Sequence, residues 1–147
     1  MASVTIIVRN ETRARPALSK PRIEKIAAAV KQELRHKGVL IFSVTFVSNQ
    51  KIRVLNKKYR HKDKPTDILS FRTGEEYEAG DIFLAPEYIR KQLEKSKRPA
   101  EQWHTRLLIH GLLHLLGFTH GRRADFAKMN RIEEKIFRRF YPHAAFD

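Results

Sequence analysis

Val39-Leu-Ile-Phe-Ser-Val-Thr-Phe-Val47 decides how the rest of the chain must be arranged. β-Branched and aromatic side chains dominate it, and apolar residues fall on both of its faces. Such a run reads as a strand buried on both sides, which needs helices above and below the sheet. Towards the N-terminus, Gly38 supplies a helix stop. Before it, Ile23, Ile26, Ala27, Val30 and Leu34 keep helical spacing behind Ser19 as N-cap and Pro21 in the first turn. A first strand, residues 4–8, precedes that helix across a polar stretch. Towards the C-terminus, Ser48 caps a short helix carrying Ile52, Leu55 and Tyr59. Residues 67–71 and 81–84 read as strands able to pair as a hairpin around an acidic loop. Pro86 and Pro99 each open a helix, the second running to about Leu116 and apolar almost all round from Leu107 onward, so that it is central. A last amphipathic helix carries Phe126, Met129, Ile132, Ile136, Phe137 and Phe140. Strands interleaved with helices, without repeats or linkers, make residues 1–147 one α/β (α+β) domain. Its expected form is a small mixed sheet of roughly four strands packed against about five helices.

The chain has 147 residues, no cysteine and a formal charge of +14. Without thiols, neither a disulfide framework nor a thiolate metal site is available, and any metal must be held by His, Asp or Glu. There is no apolar run of roughly 18 residues, so no membrane span is expected. Val4-Thr5-Ile6-Ile7-Val8 lacks the basic flank and cleavage site of a signal peptide, and a cytosolic protein is the expectation. The charge favours a polyanionic partner and is unevenly placed. Between Ser48 and Lys64, seven Lys and Arg face only Asp63; between Pro65 and Ala85, Arg72 stands alone among five acids.

His110 and His114 stand four apart on the central helix, which stacks their imidazoles on one face. Gly117 permits a sharp reversal that can bring His120 back to the same point. A lone histidine on an apolar helix is ordinarily a satisfied core residue. Three around a glycine would bury several polar rings without partners, unless they share a ligand. Three neutral imidazoles with a fourth position open to water is the arrangement of catalytic zinc, and one Zn2+ on His110, His114 and His120 is expected at the end of the central helix. His104 points about 120° away around that helix, and His36, His61 and His143 lie outside it. The spacing H-x-x-x-H-x-x-G-x-x-H is that of the metzincin proteases, but their general base follows the first histidine directly, and here that residue is Gly111.

A second polar cluster comprises Asn56, Tyr59, Arg60 and the run Pro65-Thr66-Asp67-Ile68-Leu69-Ser70-Phe71. Arg60 could hold a phosphate with its planar fork. Thr66 and Asp67 are equally a cap and turn pair. Taken together, Asn56-x-x-Tyr59-Arg60, Pro65-Thr66-Asp67-x-Leu69-Ser70-Phe71, Gly80-Asp81-Ile82 and His110-Gly-x-x-His114-Leu-x-Gly117-x-x-His120 resemble the YbeY family of endoribonucleases and ribosomal-RNA maturation factors. Met129 and Glu133 or Glu134 fit as well. The departures are Thr119, where the family usually has Asp, and Arg72, where a Pro usually follows the Phe.

The resemblance implies a single-strand-specific, metal-dependent endoribonuclease of small-subunit ribosomal RNA processing and ribosome quality control. Its setting would be the bacterial cytoplasm, or a mitochondrion for a eukaryotic source, and its partners ribosomal RNA and small-subunit components. It also implies zinc on the three histidines and a functional Arg60, so that Arg60 and His114 are the expected catalytic residues. Lys57, Lys58, Arg60, His61 and Lys62 are expected to hold the RNA backbone, with Asn56, Thr66, Asp67 and Ser70 in supporting positions. Asp67, Ser70, His61 or the substrate's own 2′-hydroxyl could take part in proton transfer. Two rivals remain at this point: a non-catalytic RNA-binding assembly factor with a structural zinc, and a metalloprotease with its base supplied from elsewhere.

Overall fold

The computed structural model describes residues 4–73, 78–119 and 121–146. The chain runs β1 (Val4–Asn10), α1 (Lys20–Leu34), β2 (Leu40–Phe46), α2 (Asn49–Arg60), β3 (Ile68–Arg72), β4 (Glu78–Leu84), α3 (Pro86–Leu93), α4 (Ala100–Leu115) and α5 (Arg123–Phe140). The four strands form one mixed sheet in the order β1-β2-β4-β3. β1 and β4 flank β2 in parallel, and β3 closes the far edge antiparallel to β4. The architecture expected from the sequence is therefore present. The hairpin forms with Ile68 opposite Leu84 and Arg72 opposite Gly80. No described helix is long and apolar enough to cross a membrane.

β2 is central because it can be buried on both sides. Leu40, Phe42, Val44 and Phe46 point into the main core with Ile23, Ile26 and Val30 of α1 and Leu108, Ile109, Leu112 and Leu113 of α4. Each such fully buried side chain contributes about 1.5–3 kcal/mol of transfer free energy. The alternate residues of β2 include Ser43 and Thr45, which are buried although polar. Ser43 donates to the Asp81 carboxylate on the neighbouring strand at 2.7 Å. The second face is thus less apolar than the sequence suggests, and a cross-strand hydrogen bond compensates. On β3 the two layers separate by residue parity. Ile68 joins the main core under α4, while Leu69 joins a smaller cluster with Val47, Ile52 and Ala85 under α2.

The expected caps hold at Ser19, which accepts from the Arg22 N–H, and at Ser48, which accepts from the Lys51 N–H. The stop assigned to Gly38 is corrected. α1 ends at Leu34, and Arg35 takes the left-handed cap conformation at φ 52°. The loop beyond it is fastened by the buried Lys31, whose ammonium donates to the Gly38 carbonyl. That tether fixes the turn earlier than glycine's freedom alone would place it.

Candidate metal centre and cleft

α4 ends in the reversal that the sequence assigns to Gly117. The Gly117 N–H donates to the His114 carbonyl and the Phe118 N–H to the Leu113 carbonyl, with Gly117 at φ +95°. This paired closure needs a residue free of a Cβ at the left-handed position. It has a chemical consequence: the Phe118 carbonyl is turned back to accept from Nδ1 of His114 at 3.0 Å. His110, one turn earlier, directs its own Nδ1 at the carboxylate of Glu133 on α5. Glu133 is 7 % exposed, so a buried carboxylate holds this ring. With a carbonyl and a carboxylate as acceptors, both rings carry their proton on Nδ1, and the lone pairs sit on Nε2.

Those two Nε2 atoms are 3.0 Å apart, with the rings crossed at 80°. Two lone pairs meeting at that distance repel unless a metal ion or a proton lies between them. The separation is within a few tenths of an ångström of the roughly 3.3 Å that two Zn–N bonds at the tetrahedral angle require. The donor set therefore fits a divalent metal preferring imidazole. His120, the expected third ligand, lies outside the described residues; among the described residues no group of three or more His, Asp or Glu could hold a metal. His104 takes no part. Its Nδ1 faces the Ala100 carbonyl at 2.8 Å, and burial holds its pKa below the ordinary histidine value.

His110 and His114 form one wall of a cleft of about 880 Å3. The same cleft is lined by Arg60, Lys62 and Lys64 and by Ser70, Phe71 and Arg72 of β3. Arg60, at the last turn of α2, is held in place at two points. Its Nη2 donates to the Ser70 carbonyl at 2.8 Å, and its guanidinium lies over the Phe71 ring at 5.0 Å. The buried Asn56 fastens the basic loop. Its side-chain amide donates to the Lys64 carbonyl at 2.8 Å, and its own carbonyl accepts from the His61 and Lys62 N–H groups.

Of the residues expected to contact RNA, Arg60 and Lys62 line the cleft; Lys57, Lys58 and His61 are exposed on the flank of α2. Lys57 stands 3.8 Å from Asp63, and the Lys58 ammonium lies over the Tyr59 ring. Thr66 and Asp67 show the turn chemistry: the Asp67 carboxylate accepts from the Ile68 N–H at 2.7 Å and from the Thr66 hydroxyl. Ser70 lines the cleft, as do Arg72 and Thr119, the two departures from the family pattern. Residue-type patterns did not single out Lys64 or the Phe118 carbonyl. Glu133 left a readable signal, a charge in register with the buried stripe Met129, Ile136 and Phe137.

Gly111 bears on the protease reading. A Cβ there would stand 3.1 Å from Ile68 Cδ1 and 3.3 Å from Ile82 Cδ1. The position that carries the metzincin base faces the sheet here, and a side chain on it would press against Ile68 and Ile82.

Residues 7–141 match the profile of the family described as Endoribonuclease YbeY. An Endoribonuclease YbeY of a Sulfurihydrogenibium species is 37% identical over 126 residues, covering 82% of this chain and 82% of the relative. That of Aquifex aeolicus is 38% identical over 123 residues, covering 81% and 77%. The solution structure of the Thermotoga maritima protein TM1509 superposes with a TM-score of 0.62 over 97% of this chain and 96% of its own, at 23% identity, a likeness of fold. With the family profile spanning nearly the whole domain and both relatives aligned across most of it, the chain belongs to the endoribonuclease YbeY family.

Proposed function

We propose that this chain is a zinc-dependent, single-strand-specific endoribonuclease that acts in the cytoplasm on small-subunit ribosomal RNA, in its maturation and in ribosome quality control. The observation that carries the reading is the pair of Nδ1-anchored imidazoles lining one basic cleft together with Arg60. His110 and His114, with His120, would hold the metal. A metal bound there supplies Lewis acidity toward a phosphoryl oxygen and a lowered pKa for water. The protein's own groups do the rest. Glu133 and the Phe118 carbonyl fix the ligand rings. Lys62 and Lys64 attract the phosphate backbone, an affinity that falls with salt. Arg60, held by Ser70 and Phe71, stabilises the charge that develops on the phosphoryl group. Ser70 stands beside these groups in the cleft wall, where it can hydrogen-bond the scissile phosphate.

The test is cleavage of an end-labelled ribosomal RNA fragment with single-stranded tails by purified protein, before and after chelation. Cutting confined to the single-stranded tails, lost with chelator and restored by Zn2+, is the expected result. Binding without cutting, with or without Zn2+, would instead favour a non-catalytic assembly factor. Product ends settle the nucleophile: a cyclic or 3′-phosphate marks attack by the 2′-hydroxyl, a 3′-hydroxyl marks water.

Glu133→Gln keeps the shape of the His110 contact and removes its charge. Carboxylate partners of metal-bound histidines are worth about 10- to 100-fold in metal affinity. A loss in that range is expected when Zn2+ is competed against a chromophoric chelator. An unchanged affinity would separate Glu133 from the metal and leave it a structural acid.

A further inference from the structure

A second recess, of about 290 Å3, adjoins the cleft. It lies between α4 and α5 and follows from the spacing of two facing stripes. Trp103, Arg106, Leu107 and His110 stand at i, i+3, i+4 and i+7 of α4, while Phe126, Met129, Asn130 and Glu133 repeat that spacing on α5. Leu107 and Met129 are buried and form the floor. The His110–Glu133 contact closes one end, beside Asp67 and the first residue of β3, Ile68. His110 and Ile68 belong to both spaces, so the recess begins where the metal centre ends. Phe126 stands at its open end, 58% exposed, the highest exposure among the described large hydrophobics.

Single exposed apolar residues are ordinary on a protein surface. Here the phenylalanine opens onto a concave recess that adjoins the cleft and is lined by Trp103 and Arg106 along one helix, with the Asp67 and Glu133 carboxylates also in its lining. The Arg106 guanidinium lies over two rings, 5.3 Å from the Trp103 centroid and 3.8 Å from the Phe146 centroid. Beyond it a further groove of about 250 Å3 shares Trp103 and Arg106 and adds Lys97 and Arg98. A strand leaving the cleft past His110 would therefore find an aromatic ring, an amide and several cations within these two spaces. Stacking surfaces interleaved with positive charge are what single-stranded nucleic acid binds. The surplus of positive charge on the chain favours that occupant over an apolar peptide.

We propose that the recess between α4 and α5 is a base-binding subsite. Phe126 stacks on an unpaired nucleobase next to the cleavage position, Asn130 offers donor and acceptor to its edge, and Arg106 holds the adjoining phosphate. The inference rests on the endoribonuclease reading and sharpens it. A base held in a duplex cannot enter the recess without unpairing, so the subsite selects single strands.

Trp103 is the chain's single tryptophan and reports directly on the recess. Wild type, Phe126→Ala and Phe126→Tyr are titrated with a 2′-O-methyl oligoribonucleotide of about eight residues, read by Trp103 emission and by anisotropy of a labelled copy. Cleavage of natural RNA is assayed in parallel. The expected result is a change of Trp103 emission with the single strand and none with its duplex. Phe126→Ala should bind about tenfold more weakly with an unchanged melting curve, and Phe126→Tyr should bind as wild type. Wild-type-like binding by Phe126→Ala, or unchanged Trp103 emission while anisotropy shows RNA bound, would overturn the subsite; the recess would then fit a protein segment or a second copy. If cleavage persists in that case, only the subsite fails. If wild type neither binds nor cuts RNA, the endoribonuclease reading fails and the subsite with it.

Discussion

Replacing His114 with alanine should abolish strand cleavage while leaving the fold and RNA binding in place. The side chain is only partly buried, and its contacts include the hydrogen bond to the Phe118 carbonyl and the crossed ring of His110. Losing that bond costs about 1 kcal/mol, a cost the large core beneath α4 can absorb. The chemical loss is of another order. His114 contributes one of two Nε2 atoms that converge at 3.0 Å, and without it the remaining described donor is a single imidazole. The measurement is parallel purification of wild type and mutant, with bound zinc determined by elemental analysis and cleavage followed on labelled RNA. The mutant should lose both metal and activity and keep its RNA affinity. A mutant that cuts as fast as wild type would place the chemistry elsewhere, or in a contaminant.

The sequence announces this centre because it depends on spacing along one helix. His110 and His114 fall on one face through the α-helical period, and Gly117 follows as the one residue suited to φ +95°. The β3–β4 hairpin was legible for a similar reason, since turn chemistry and strand composition are local. What was not legible depends on how elements face one another. Glu133 and Glu134 are neighbours on an amphipathic helix, and only docking against α4 shows that Glu133 meets His110 while Glu134 pairs with Arg138 at the surface. The basic run from Lys51 to Lys64 gives a count of charges and no direction. Folded, the Asn56 amide turns Lys62 and Lys64 into the cleft and leaves Lys57 and Lys58 outside it. Gly111 reads in sequence as a missing base, whereas in the fold it is the close approach of α4 to Ile68 and Ile82.

Arg60→Ala is the variant that separates binding from catalysis among the basic residues of the cleft. The guanidinium is exposed and makes no ion pair among the described residues; its anchors are the Ser70 carbonyl at 2.8 Å and the Phe71 ring. Those anchors use one N–H and one face, which leaves the remaining donors of the fork directed at the cleft. A preorganised donor aimed at developing charge is worth about 10²–10³ in kcat. Loss of one phosphate contact from a backbone held by several cations changes affinity far less. The expected result is therefore a kcat reduced about 10²- to 10³-fold with KM nearly unchanged and the metal still bound. Arg60→Lys should recover little of it, because an ammonium keeps the charge but cannot both donate to Ser70 and present a planar fork to phosphate. Single-turnover cleavage across a salt series distinguishes the cases. A defect confined to KM and erased at low salt would make Arg60 one more backbone contact, and full rescue by lysine would show that charge without geometry is enough.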